Sequence, residues 1–269
     1  MTLVPHHDMI CNRLRKKTMN NSDDSNNFFA IIGDVHGKAE QHRRICKNFN
    51  YTLQVGDMDF DYLPLQSLDP LRHRFIGGNH DGYHVTPMPH LSLDDPDAND
   101  PYQHYVVKDM VYKMERFPAH SLGQWGTWEI PEVTSKEFSG KIFFVRGAWS
   151  IDRKYRAEGV DWFPEEELNQ KQANQAIDDY IKAKPDFVVS HCCPDEFVPN
   201  LRLMYGSGKK IPTLTGAMLQ AMFDAHKPKL WVFGHFHQDV VKELKGTTFV
   251  CLDELSVLKF DKELNCGDI

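Results

Sequence analysis

Seven residues of three types carry the chemistry available to this sequence: Asp34, His36, Asp57, Asn79, His191, His235 and His237. They fall in five short blocks, Gly33-Asp34-Val35-His36-Gly37, Gly56-Asp57-Met58-Asp59, Gly77-Gly78-Asn79-His80-Asp81, His191-Cys192-Cys193-Pro194 and Gly234-His235-Phe236-His237, each directly after a strand-like run. Singly, each block is commonplace, since an Asp there serves as a helix cap and a His beside it as a solvated residue. The repetition is what counts. Carboxylate, amide oxygen and imidazole together suit borderline divalent ions such as Mn, Fe or Zn. The set contains no thiolate, which argues against a structural zinc. Seven ligands are too many for one ion and fit two that share a carboxylate. Two ions roughly 3.5–4 Å apart activate a water and neutralise the charge of an in-line displacement at phosphorus.

Elements of one kind must present these blocks. Phe28-Phe29-Ala30-Ile31-Ile32 reads as a buried strand ended by Gly33. Tyr51–Val55, Arg72–Ile76, Ile142–Val145, Asp186–Ser190 and Leu230–Phe233 read the same way, and helical character appears at 38–48 and near 214–226. Pro164 and the three glutamates after it predict a helix start, with the helix running to Lys184 before Pro185. Residues 240–258 predict closing antiparallel strands. The alternation predicts an α/β fold with its chemistry at strand ends, where open α/β sheets carry it.

The 269 residues, 41% hydrophobic and 26% charged, suffice for a globular domain with a real core. A net charge of −7 argues against an extended nucleic-acid or membrane-binding surface, while leaving room for a local cationic site. Six cysteines at irregular spacing, with no CxxC pair, do not form a disulfide scaffold, and a reducing cytoplasm is expected. No apolar run approaches the ~20 residues that span a bilayer. The basic cluster Arg13–Lys17 has no apolar core behind it, so no secretory signal is expected. Residues 1–27 read as a polar, disordered tail in which His6 and His7 are solvated, and 28–269 as one domain. The Pro-, Asp- and His-rich stretch 83–109 reads as a surface excursion, with His84, His90 and His104 in solvent.

In this order the blocks GDVHG, GDMD, GGNHD, SHCCP and GHFH resemble the calcineurin-like metallophosphoesterase superfamily, over nearly all of residues 28–260. The resemblance implies a four-layer α-β-β-α sandwich, two mixed sheets flanked by helices. It also implies roles. Asp34, His36 and His237 resemble the ligands of a first metal and Asn79, His191 and His235 those of a second, with Asp57 as the bridging carboxylate. His80 matches the histidine that contacts the phosphate or protonates the leaving oxygen, work that suits a pKa near operating pH. Asp81 and Asp59 are candidates to orient it. The implied cofactors are two divalent ions, manganese ahead of Fe, Zn, Ni or Co. The implied reaction is phosphoester hydrolysis by a hydroxide held between them.

The departures bear on substrate. Protein Ser/Thr phosphatases continue their second block into Asp-Arg-Gly and place an arginine before the asparagine block. Here Asp59 runs into Phe60-Asp61, and Phe75-Ile76-Gly77-Gly78 leads to Asn79. The arginines that grip a phosphoprotein are thus missing from those places. Gly147-Ala148-Trp149-Ser150-Ile151-Asp152-Arg153, followed by Trp162-Phe163-Pro164-Glu165-Glu166, resembles a loop in a bacterial and phage branch of the superfamily. Arg146, Arg153 and Arg156 are candidates for the missing phosphate contacts through bidentate pairing. Trp149 and Tyr83 are candidates to stack a base. The reading therefore leans towards phosphodiester or nucleotide substrates, with a Ser/Thr protein phosphatase as the alternative. A non-catalytic metal-binding scaffold is the alternative of a different class. Cys192 and Cys193, beside His191, read as buried structural thiols.

Overall fold

A computed structural model describes residues 27–59, 62–81, 120–135, 138–158, 161–201 and 211–266. The expected tail to residue 26, the 83–109 excursion with its three histidines, and Tyr83 lie outside the described residues.

Two sheets form the frame. The first contains β1 (Phe29–Ile32), β2 (Tyr51–Gln54), β3 (His73–Phe75) and β10 (Val257–Phe260) in the order β10-β1-β2-β3. β1, β2 and β3 run parallel, and β10 closes the edge antiparallel to β1. The second contains β4 (Trp125–Glu129), β5 (Lys141–Val145), β6 (Phe187–Ser190), β7 (Leu230–Phe233), β8 (Val240–Leu244) and β9 (Thr247–Cys251), ordered β4-β5-β6-β7-β9-β8. Its four inner strands are parallel and its two edges antiparallel. Among the described residues the α-helices are α1 (Ala39–Cys46), α2 (Gln170–Ala183) and α3 (Leu214–Ala225).

The period-2 alternation of side chains builds the layers. Phe29 and Ile31 face inward and meet Phe144, Val189, Val232 and Val250 of the second sheet in one buried cluster. Ala30 and Ile32, one residue out of phase, pack with Ala39 and Cys46 of α1. Phe143, Val188, Trp231 and Phe249 turn outward onto Ala176 and Tyr180 of α2 and Leu219 and Phe223 of α3. Three apolar layers between four structural layers make the expected α-β-β-α sandwich. Burial on both faces also explains why the parallel strands read as continuous apolar runs.

Two expectations need correction. Pro164 opens a 3₁₀ turn of three residues, Pro164–Glu166, and the α-helix begins only at Gln170. The true start is a capping box: the Asn169 side chain accepts from Gln172 N at 3.0 Å, and Gln172 Oε1 accepts from Asn169 N at 2.9 Å. The closing strands are antiparallel only in part. β8 and β9 form a hairpin through Lys245 and Gly246, both at positive φ, but β9 then runs parallel to β7 and β10 crosses to the other sheet.

Candidate metal centre

The ends of β1, β2, β6 and β7 and the turn after β3 converge at one point, and all seven predicted ligands arrive there. Asp34, His36, Asp57 and His237 each offer a ligand atom within 4.8 Å of the others, and so do Asp57, His191 and His235. Asn79 joins the second group, its Oδ1 3.1 Å from His191 Nε2. Asp57 belongs to both groups. Its Oδ2 lies 3.6 Å from His36 Nε2, and its Oδ1 lies 3.3 Å from His191 Nε2.

Asp34 Oδ1 is buried without a hydrogen-bond partner, while Oδ2 accepts from the His235 backbone at 2.8 Å. His36 Nε2 and His237 Nε2 face each other at 2.8 Å, a pairing of like groups that a shared cation makes favourable. Glycines leave room for the carboxylates: a Cβ on Gly234 would stand 2.1 Å from Asp34 Oδ1, and one on Gly78 2.1 Å from Asp57 Oδ1. His36, Asp57, His235 and His237 all hold positive φ. For residues with side chains that costs about 1–3 kcal/mol each, and such strain concentrates at functional sites. The residues fit cations.

Electrostatics agree. Burial raises Asp34 well above the usual carboxylate range. Burial works the same way on Asp57, yet the field of His191 takes it below its ordinary value. For His191, burial is outweighed by Asp57 and Asp34, and the imidazole is pushed up to about 10. His235 goes the other way, to about 3, through burial and then repulsion by His191. His191 Nδ1 donates to the Val55 carbonyl at 2.9 Å, which leaves Nε2 to face the cluster. That fixed tautomer is how metal-binding histidines are oriented.

The remaining predicted residues divide. His80 lines the cleft beside the cluster and donates its backbone N–H to Asp57 Oδ1 at 2.7 Å. Its imidazole is held low by burial, with Arg156 adding to the effect against the pull of Asp57. Asp81 does a different job from the expected one. Its Oδ2 accepts from the backbone N–H of Asp57 (3.0 Å) and Gly78 (2.6 Å), and its Oδ1 from the Tyr62 hydroxyl (2.9 Å), so it braces the turns and not the His80 ring. Burial and then Asp57 push it up to about 7. Asp59 pairs with Asp81 in an isolated β-bridge and sets its carboxylate beside Gly37.

Of the three arginines, Arg156 is the one that reaches His80. Its Nη2 lies 3.0 Å from both ring nitrogens of His80, and its Nε and Nη2 bond Asp152 Oδ2 at 2.9 and 2.7 Å. Arg153 lies over Trp149 at 4.6 Å and Trp162 at 5.9 Å. Arg146 turns towards the Glu165 carbonyl, 3.4 Å away, and is not among the residues lining the cleft. Trp149 does line it, together with Ile151, Tyr155, Ile211 and Phe236, around a volume of ≈ 750 Å³. Cys192 and Cys193 are both buried. Their mutual hydrogen bond lowers Cys192, and burial raises Cys193.

Sequence reasoning gave no role to Glu254, which lines the cleft with its carboxylate 3.8 Å from His237 Nδ1. No spacing signal marks it, because it follows the last block by many residues. It also passed over Ser150, Asp152 and Glu166, although all three stand in the quoted loop.

Residues 21–239 match the family model for the calcineurin-like phosphoesterases. The chain belongs to the calcineurin-like phosphoesterase family. No curated protein sequence matches it. Among solved structures it is similar to one from Staphylococcus aureus provisionally assigned as a 5'-nucleotidase, at 13% identity and a TM-score of 0.48, over 89% of this chain and 52% of that one. The chain thus spans about half the length of that protein. It is also similar to the phosphopantetheinyl hydrolase of Mycobacterium tuberculosis (13% identity, TM-score 0.42, 86% and 91% covered). A third likeness is to an archaeal phosphodiesterase (11%, 0.35, 88% and 94%). Likenesses this faint carry no argument about substrate. Among the described residues, no helix is long and apolar enough to cross a membrane.

Proposed function

We propose that this chain hydrolyses phosphate esters with two divalent cations held by two ligand sets that share Asp57. Manganese is favoured over Fe, Zn, Ni or Co. Asp34, His36 and His237 would hold one ion, and Asn79, His191 and His235 the other. The observation that carries the reading is the division of Asp57 between the two sets, Oδ2 towards His36 and Oδ1 towards His191. When bound, such a pair of ions supplies an activated water and neutralises charge at phosphorus.

The side chains do the rest. Arg156 Nη2 stands 3.0 Å from both ring nitrogens of His80, a cation beside the ring that, with burial, favours the neutral imidazole, which keeps one N–H to donate. His80 then donates a hydrogen bond to a phosphoryl oxygen, and the negative charge of the ester raises it towards the acid that protonates the leaving oxygen. Arg156 itself supplies positive charge beside the incoming phosphate.

The substrate lean is towards phosphodiesters or nucleotides. Ile151, Tyr155 and Ile211 are three of the five large hydrophobic side chains exposed among the described residues, and all three line this cleft with Trp149. An apolar, aromatic wall beside a metal cluster suits a base or another flat leaving group better than a solvated phosphopeptide. The five free cysteines among the described residues support a reducing compartment, the cytoplasm. One domain over 28–269, after a tail at 1–27, remains our assignment.

The test is direct. The Mn²⁺-loaded chain is assayed on an aryl phosphate monoester and on the matching diester. Faster diester cleavage is expected. Faster monoester cleavage would overturn the lean in favour of a phosphomonoesterase, and no turnover of either with metal bound would leave a scaffold.

A further inference from the structure

Asn79 must present its carboxamide oxygen, and not its NH₂, to the metal centre. The two ends of an amide have nearly the same shape, so packing alone does not choose between them. Hydrogen bonding does. Asn79 Nδ2 lies 3.1 Å from Ser150 Oγ. Ser150 in turn gives its backbone N–H to Glu166 Oε1 at 2.8 Å and its hydroxyl to Glu166 Oε2 at 2.5 Å. Ser150 is fully buried and Glu166 nearly so, 2% exposed.

From these contacts we infer that Ser150 and Glu166 form a one-way relay that fixes the direction of the Asn79 amide, and through it the second half of the metal centre. An ionised carboxylate only accepts, so the single Ser150 proton is committed to Glu166. The hydroxyl then has only lone pairs left for Asn79, which must answer with Nδ2–H. That leaves Oδ1 turned to His191 and the cluster, at 3.1 Å. A flipped amide would set oxygen against the Ser150 lone pairs and N–H donors against the cation. The two partners are sixteen residues apart in sequence, and the backbone is shaped to join them. Gly147 holds φ +91°, and a Cβ there would stand 2.2 Å from the Glu166 carbonyl oxygen. Ser150 and Glu166 are positioning residues: neither lines the cleft, and they act through Asn79.

The inference rests on the proposed ligand role of Asn79, and the test separates the two. The metal-stripped full chain is titrated calorimetrically with Mn²⁺ alone, and thermal unfolding is followed in parallel. Ser150→Ala is expected to weaken one of the two Mn²⁺ equivalents about 10- to 100-fold and leave the other unchanged, as loss of a supporting partner does at other metal sites. Glu166→Gln weakens the same equivalent, and Ser150→Thr, which keeps the hydroxyl, restores it. In an Asn79→Ala background, Ser150→Ala adds nothing. Unchanged Mn²⁺ affinity in Ser150→Ala, equal weakening of both equivalents, or a further loss in the Asn79→Ala background would overturn the relay. If Asn79→Ala itself leaves both equivalents intact, the ligand reading fails and the relay with it. If it loses one while Ser150→Ala loses none, the relay alone fails.

Discussion

Two groups of histidines stand among the described residues, and the most deeply buried member of each is shifted in the opposite direction. One stands at the strand ends, where His191 is pushed up to about 10. The other lies on the outer face of the first sheet, between α1 and β2–β3. There Cys46 Sγ is 3.4 Å from both His42 Nε2 and Thr52 Oγ1, and Thr52 Oγ1 is 3.1 Å from His73 Nδ1. Burial, with His73 and His120 adding to it, takes His42 down to about 3. Burial is complete in both places, so desolvation does not separate them. Carboxylates do. Asp57 and Asp34 surround His191, whereas the groups acting on His42 are two other histidines. The first group has a surplus of negative charge that a proton meets when no cation is present. In the second, the one carboxylate acting, Asp69 on His73 and His120, is outweighed by burial, and those imidazoles are held low. Metal ligands must be deprotonated, so in the first group a bound cation would take the place of the proton.

Substitutions test this contrast. The largest effect is expected from Gly78→Ala, whose Cβ would fall 2.1 Å from Asp57 Oδ1 and 2.7 Å from His191 Cε1. It should remove turnover together with metal uptake, and a variant that kept its metal would show that the turn is not the cradle described. His80→Ala should lower kcat about 100-fold with bound metal unchanged, as loss of an acid–base or phosphate-contacting histidine does. Metal loss in that variant would make His80 a ligand. Arg156→Lys should cost about 10-fold in kcat/KM, because a point charge does not reproduce the fork that spans Asp152 and His80. A rate equal to wild type would remove Arg156 from the mechanism. The smallest effect on activity belongs to His42→Leu, which should change neither metal uptake nor rate. Its effect is on stability. His42 is depressed in the folded state, so its contribution is present above about 6.5 and is lost as pH falls towards about 3. Thermal melts across that window should therefore flatten in His42→Leu, and an unaltered slope would show that His42 is not the titrating group.

The strand ends were legible because each strand is a short apolar run stopped by glycine, and such a run buried on both faces has few other readings. Asp34 and His36 after β1, and His235 and His237 after β7, could be placed before any geometry was known. The loop from Gly147 to Glu166 could be quoted but not understood. Its contacts join Ser150 to Glu166 and Arg156 to His80 without any period, so neither helical nor strand spacing exposes them. For the same reason Glu166 was read as a helix-start carboxylate when it turns inward to Ser150. Arg146 is singled out by charge and position, and where its side chain turns, towards the Glu165 carbonyl, has no signal in the sequence. The Asn169 capping box was present in the sequence and was masked by the stronger signal of Pro164.

The central claim is that Asp57 serves two cations at once. The measurement that tests it most directly is the Mn²⁺ stoichiometry of the wild-type chain and of Asp57→Asn, by calorimetry on metal-stripped protein. Two equivalents are expected for the wild type, with both weakened in the variant. A single equivalent in the wild type, or a variant that loses only one ion and keeps the other at full affinity, would contradict it.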